Sequence, residues 1–324
     1  MDRFAHWGIL LVAFWPIPGL AAQAPAESSQ PPTSRELIDG IQEFEGRLGI
    51  ARTRNFDQNS ETLQAYYRCY YTGPLELPES YERLKLKEGK ESGCGMDPRR
   101  YDVFFYPIEA VASGKTPVTK SLAEAKPERV LVVVPHEDYH MRKDLPASVG
   151  EAAATLVGFL TAADYARQEF GENSQLYRNL AGEPELFLRK SALVNRTYEE
   201  LSGIYSRMRK GKLRREEAFA AKGRLFAELR SGCQAISPSP RSFNKCLAAE
   251  NNAGLAFDRT YTRFYPLLYE LYESRGRNVR STVAALHRIL SARSLSENKA
   301  AARIREAIAE TAANGSKAAS AQTP

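Results

Sequence analysis

The segment His136-Glu137-Asp138-Tyr139-His140, an H-E-x-x-H pattern, constrains this 324-residue chain more than any other feature. Two imidazoles four residues apart can meet at one point when the backbone between them makes a single helical turn, because residues i and i+4 share a face. That arrangement suits one zinc ion, which takes three protein ligands and leaves a fourth position for water. The glutamate after the first histidine then sits beside that water as general base, taking its proton during attack on a carbonyl and returning it to the leaving amine. Histidine is scarce in this chain: there are four, and two of them form the motif. The expectation is one Zn2+ held by His136 and His140, with Glu137 as base.

Glu151 is the leading candidate for the third ligand. It opens a helix expected to pack beside the motif helix, after a connection containing Pro146. The plainer reading is an acid in a helix's first turns, favoured there by the macrodipole. Asp138 and Asp144 are weaker alternatives. His287 is weaker still, in an amphipathic helix far along the chain.

The N-terminus reads as an export signal over residues 1–24. Arg3 precedes the apolar run Gly8 to Trp15, Pro16 and Pro18 interrupt it, and Ala22-Gln23-Ala24 resembles a cleavage site. The run is too short to span a bilayer, so no stable membrane span is expected after cleavage. The mature chain should then be periplasmic or secreted, where Cys69, Cys94, Cys233 and Cys246 can form disulfides. The sequence-local pairs, Cys69 with Cys94 and Cys233 with Cys246, each close a loop rich in turn formers. The net charge of +6 comes from 45 basic and 39 acidic residues spread along the chain, without the concentrated patch of a nucleic-acid binder.

Beyond the signal, residues 25–32 read as a disordered linker and 33–128 as an N-terminal helical and irregular region. Thr33 and Glu36 form a capping-box pattern ahead of Leu37, Ile38, Ile41, Phe44 and Leu48 at helical spacing. A second helix is expected over 61–71, an irregular stretch over 75–101, and a short strand over 102–106. Val130 to Val134 is either a strand feeding a helix that starts at Pro135, or a buried helix interrupted there. The motif region, 129–294, continues with helices at 151–170, 185–208, 213–229, 249–273 and 281–293. Residues 295–324 carry a last amphipathic helix to about 312 and a polar tail expected to be disordered. The fold class is therefore mainly α with a small strand component.

These residues also resemble a family, the zinc aminopeptidases of exported bacterial proteins, over about 130–290. The family's features are an H-E-x-x-H helix, a helix opening with glutamate, small residues and threonine, and a later Asn-Asn-Ala helix. Here they are matched by His136 to His140, by Glu151-Ala152-Ala153-Ala154-Thr155, and by Asn251-Asn252-Ala253 with Thr260-Tyr261 and Pro266. Glu199-Glu200-Leu201, Tyr205 and Lys222 also fit. Pro135 departs from the pattern, standing where the family has an unbroken helix. The resemblance implies a mostly helical metallopeptidase acting on peptides, with His136, His140 and Glu151 as ligands and Glu137 as base. Tyr261 is a further catalytic candidate, either donating to the tetrahedral oxyanion or packing as a core aromatic near Tyr265 and Leu268. The competing reading is an exported helical binding or scaffold protein whose metal site is structural or degenerate.

Overall fold

Local signals start the first helix where expected. The Thr33 hydroxyl accepts from the Glu36 N–H and the Glu36 carboxylate accepts from the Thr33 N–H, so the capping box closes on α1 (Ser34–Leu48). Gly49, left-handed at φ +83°, ends the helix. The computed structural model describes residues 32–140, 145–239, 246, 249–291 and 295–320. Residues 1–24, expected to be an export signal, residues 25–31 of the expected linker, Asp144 and residues 321–324 lie outside the described residues. Thr33–Pro324 forms a unit of its own.

After α1 the chain builds a small antiparallel sheet of β1 (Tyr66–Thr72), β2 (Lys85–Glu88) and β3 (Asp102–Ile108), ordered β2-β1-β3. β1 lies where the sequence predicts a helix. Its tyrosines explain the difference: aromatic side chains fit a paired, half-buried pleat, and β1 is paired on both edges. β3 runs through Pro107 rather than stopping before it, which an edge strand tolerates. Both sequence-local disulfides form, Cys69 with Cys94 and Cys233 with Cys246.

The short α2 (Lys120–Ala123) leads to α3 (Pro127–Tyr139), which carries the motif. Val130 to Val134 is thus a buried helix, no residue of it more than 3% exposed. Pro127, not Pro135, takes the first-turn position, and Pro135 lies inside the helix. With no N–H, Pro135 leaves a gap in the helical ladder. Packing of α3 between α1 and α4 (Ala147–Phe170) keeps the helix continuous.

Then come α5 (Gln175–Arg209), α6 (Arg215–Gln234), α7 (Asn252–Thr262), α8 (Tyr265–Ser274), α9 (Val279–Ile289) and α10 (Glu297–Ser320). The single helix expected over 249–273 is two, because Pro266 fits only the first turn of a new one. α4 packs on α3, α5 and α7, and α7 lies on the sheet against β1 and β3. One core joins Phe44 of α1, Val132 of α3, Phe159 of α4, Leu286 of α9 and Ile304 of α10. The architecture is mainly α with a small strand component.

Gly158 sets the α3–α4 spacing. A Cβ at this position would lie 2.8 Å from the Val132 carbonyl oxygen and 3.3 Å from the His136 Cβ. The two backbones therefore touch one turn before the motif's first histidine. Glu151, seven residues before Gly158, is on the same face of α4.

Candidate metal centre

His136 occupies the last turn of α3 and His140 caps it, so one helical turn separates the two rings as their spacing requires. Glu151 reaches them from α4. His136 Nε2 lies 3.1 Å from His140 Nε2, and Glu151 Oε2 lies 2.9 Å from His140 Nε2 and 3.2 Å from His136 Nε2. Three converging atoms at these separations cannot all be satisfied by hydrogens. If each ring nitrogen donates to the carboxylate, the two N–H groups face each other; if only one does, another contact is left without a proton. Donors about 2.1 Å from one ion at tetrahedral angles sit about 3.4 Å apart, close to the spacing found. His136, His140 and Glu151 thus form a group that could hold a metal ion.

Electrostatics bind the group together. Burial alone would raise Glu151, but His140 and His136 hold its carboxyl well below the usual range. Burial lowers His140, yet Glu151 and Glu137 overcome this and push it up to about 9. A cation entering at neutral pH must therefore displace a proton. Burial raises the Glu137 carboxyl against the pull of His136 and His140, while the Ala112 N–H donates to it. Glu137 lines the same cavity, of about 370 Å³, as the three donors. That volume lies within the range of about 300–1,000 Å³ usual for ligand sites.

Tyr261 of α7 lines this cavity too, its ring stacked 6.2 Å from that of His136. Neither Asp138 nor His287 joins the group. Asp138 points into α1 and the loop after it, accepting from Gln42 Nε2, Thr53 Oγ1 and Asn55 Nδ2. His287 stacks on Tyr139 at 5.5 Å. The variable positions of H-E-x-x-H therefore anchor the motif helix to its neighbours.

Glu45 packs against Asp138 at 2% exposure, and burial together with that charge raises its carboxyl well above the ordinary value. A raised folded-state value means a proton favoured by the folded state, so the associated stability is present at low pH and lost as pH rises through the folded value. Thermal stability should thus decline as pH rises above about 4.5, and Glu45→Gln should flatten this decline. Melting curves of both proteins across pH provide the check, and parallel declines would contradict it.

Tyr81 carried no recognisable sequence signal. It lies in a 3-10 turn, Tyr81–Arg83, within a stretch that reads as irregular. Its hydroxyl donates to Glu151 Oε1 at 2.7 Å and its N–H donates to Thr260 Oγ1 of α7. This fixes the carboxylate's second oxygen while the first faces the histidines. The Asn-Asn-Ala segment also acquires a physical role. Asn251 caps α7 and donates to the Val103 carbonyl. Asn252, fully buried, donates to the Pro74 and Glu76 carbonyls and accepts from Tyr205. Its N–H meets Asp102, which pairs with Lys222 at 2.5 Å. Together these residues clamp α5, α6, α7 and β3, and so position Tyr261.

The class that fold and site define is a mainly helical protein with a metal-capable group of two histidines and a glutamate in a lined cleft. A family model described as "Putative aminopeptidase" matches residues 101–302, more than half of the chain, and the chain belongs to that family. No match is found among curated proteins or among solved structures.

Proposed function

We propose that this protein is a zinc-dependent peptidase that works outside the cytoplasm. The carrying observation is the triangle of His136, His140 and Glu151, with donor separations of 3.1, 2.9 and 3.2 Å, beside Glu137. Membership of the aminopeptidase family supports peptide-bond hydrolysis at the coarse level. Export rests on the N-terminal signal pattern, and the two disulfides suit an oxidising compartment. Among the described residues no helix is long and apolar enough to cross a membrane.

His136, His140 and Glu151 would hold the ion. When bound, it supplies Lewis-acid polarisation of the scissile carbonyl and of the attacking water. Glu137 takes the proton from that water and delivers it to the leaving amine, work for which a raised carboxyl is suited. Tyr261, its ring stacked on that of His136, donates to the oxygen that becomes negatively charged. Tyr81 keeps Glu151 turned toward the histidines.

Metal removal tests the reading. The purified protein should contain one zinc per chain, lose peptide hydrolysis on chelation, and recover it with one equivalent of zinc. Hydrolysis undiminished in metal-free protein would overturn the proposal. Stoichiometric zinc with no cleavage across a peptide library would favour the scaffold reading instead.

A further inference from the structure

The inward face of the sheet forms one wall of the cavity, where Arg68 of β1 pairs across the strands with Tyr106 of β3. Two cations line the cavity, Arg68 from this wall and Arg129 from α3, and they differ in their surroundings. Arg129 is paired with Glu109 at 2.5 Å and reaches the Tyr106 hydroxyl at 3.3 Å. Arg68 is half-buried and has no carboxylate within ion-pair distance among the described residues. Its company is aromatic. It lies near Tyr66 and Tyr70 on the same strand, close enough for its charge to act on both hydroxyls.

None of the four carboxylates that line the cavity pairs with Arg68. Glu137 and Glu151 belong to the proposed centre, Glu109 is tied to Arg129, and Glu82 is exposed. A guanidinium partly removed from water without a counter-charge is costly unless a ligand supplies one. Its planar fork matches a carboxylate with two parallel hydrogen bonds.

We propose that Arg68 reads a carboxylate on the substrate, so that the cleft prefers peptides with an acidic side chain or a free C-terminal carboxylate near the scissile bond. The inference rests on the peptidase reading of the same cleft and names its substrate class. Both sources offer the same anion, and two sets of probes separate them.

The test measures binding, by calorimetry, to the full zinc-loaded chain carrying Glu137→Gln, so that nothing is consumed. One arm compares tetra-alanine amides with a single glutamate, at each position in turn, against their glutamine counterparts. The other compares tetra-alanine as free acid and as amide. In at least one arm the acid should bind about 10- to 100-fold tighter, the range for a hydrogen bond to a charged group. Adding R68Q should abolish the difference, and R68K, which retains the charge without the fork, should restore part of it. Equal binding of acid and amide in both arms, or no binding of either, overturns the proposal, as does an acid preference that survives R68Q. Should R68Q fail to fold, R68K decides, because a full preference in it excludes reading by the fork. Failure of the peptidase reading shows separately, as wild-type zinc-loaded protein that binds the acids preferentially and cleaves none of them.

Discussion

Replacing Glu137 by glutamine is expected to lower kcat for peptide hydrolysis by about 100- to 10,000-fold, the usual contribution of a positioned acid–base group. Zinc should remain stoichiometric. The substitution keeps the side chain's shape and touches none of the three atoms that form the donor triangle. The amide cannot take a proton from water; the variant also removes the negative charge that helps push His140 up, which is why zinc content is measured beside turnover. The Ala112 N–H that donates to Glu137 finds an acceptor in the glutamine oxygen as well, so the local backbone should hold. Zinc content and turnover measured on one preparation separate the possible results. Turnover at the wild-type rate would remove Glu137 from the mechanism, and loss of zinc would show that it supports the site instead.

The second large effect comes from a residue with no functional group. Gly158→Val should destabilise the protein by about 2–3 kcal/mol, the upper range for overpacking. Its melting temperature should fall by about 4–12 °C. Zinc affinity should also drop, by about 10- to 100-fold, as it does when support around a ligand is lost. The reason is geometric. The first carbon of the new side chain would lie 2.8 Å from the Val132 carbonyl oxygen, and backbone cannot swing aside as a side chain can. Relief requires α4 to move away from α3, and that separates Glu151 from His136. Gly203, in α5, provides the control, since nothing lies within 4 Å of a Cβ built there. Gly203→Ala should be neutral or stabilising by up to about 1 kcal/mol through helix propensity. If the two variants behaved alike, close contact of α3 and α4 would not be what positions the site.

Much of the site was legible because its information is local. The four-residue spacing of His136 and His140 is a property of one helical turn and needs no neighbour. The capping box of Thr33 and Glu36 is local as well, as are two disulfides that close short loops. Glu151 could be nominated from its helix, but its meeting with the histidines depends on how α3 and α4 pack.

Other residues carried no signal because their roles depend on distant partners. Tyr81 acts on Glu151, seventy residues away, and nothing around it in sequence marks it. Asp138 reads as a candidate ligand by type, yet three donors from α1 and the following loop claim it. The helix expected over 61–71 is in part a strand, because its pairing with Lys85–Glu88 and Asp102–Ile108 outweighs local periodicity.

What the sequence determined alone, then, is a mainly helical chain with two imidazoles and a carboxylate on one turn, since dihedral periodicity and caps act over a few residues. The tertiary structure decided which acid lies beside the two histidines, which tyrosine hydrogen-bonds it, and that Arg68, with no ion pair among the described residues, lines the cavity. Those choices depend on backbones meeting across long separations in sequence, and the contact at Gly158 is the point where two of them meet.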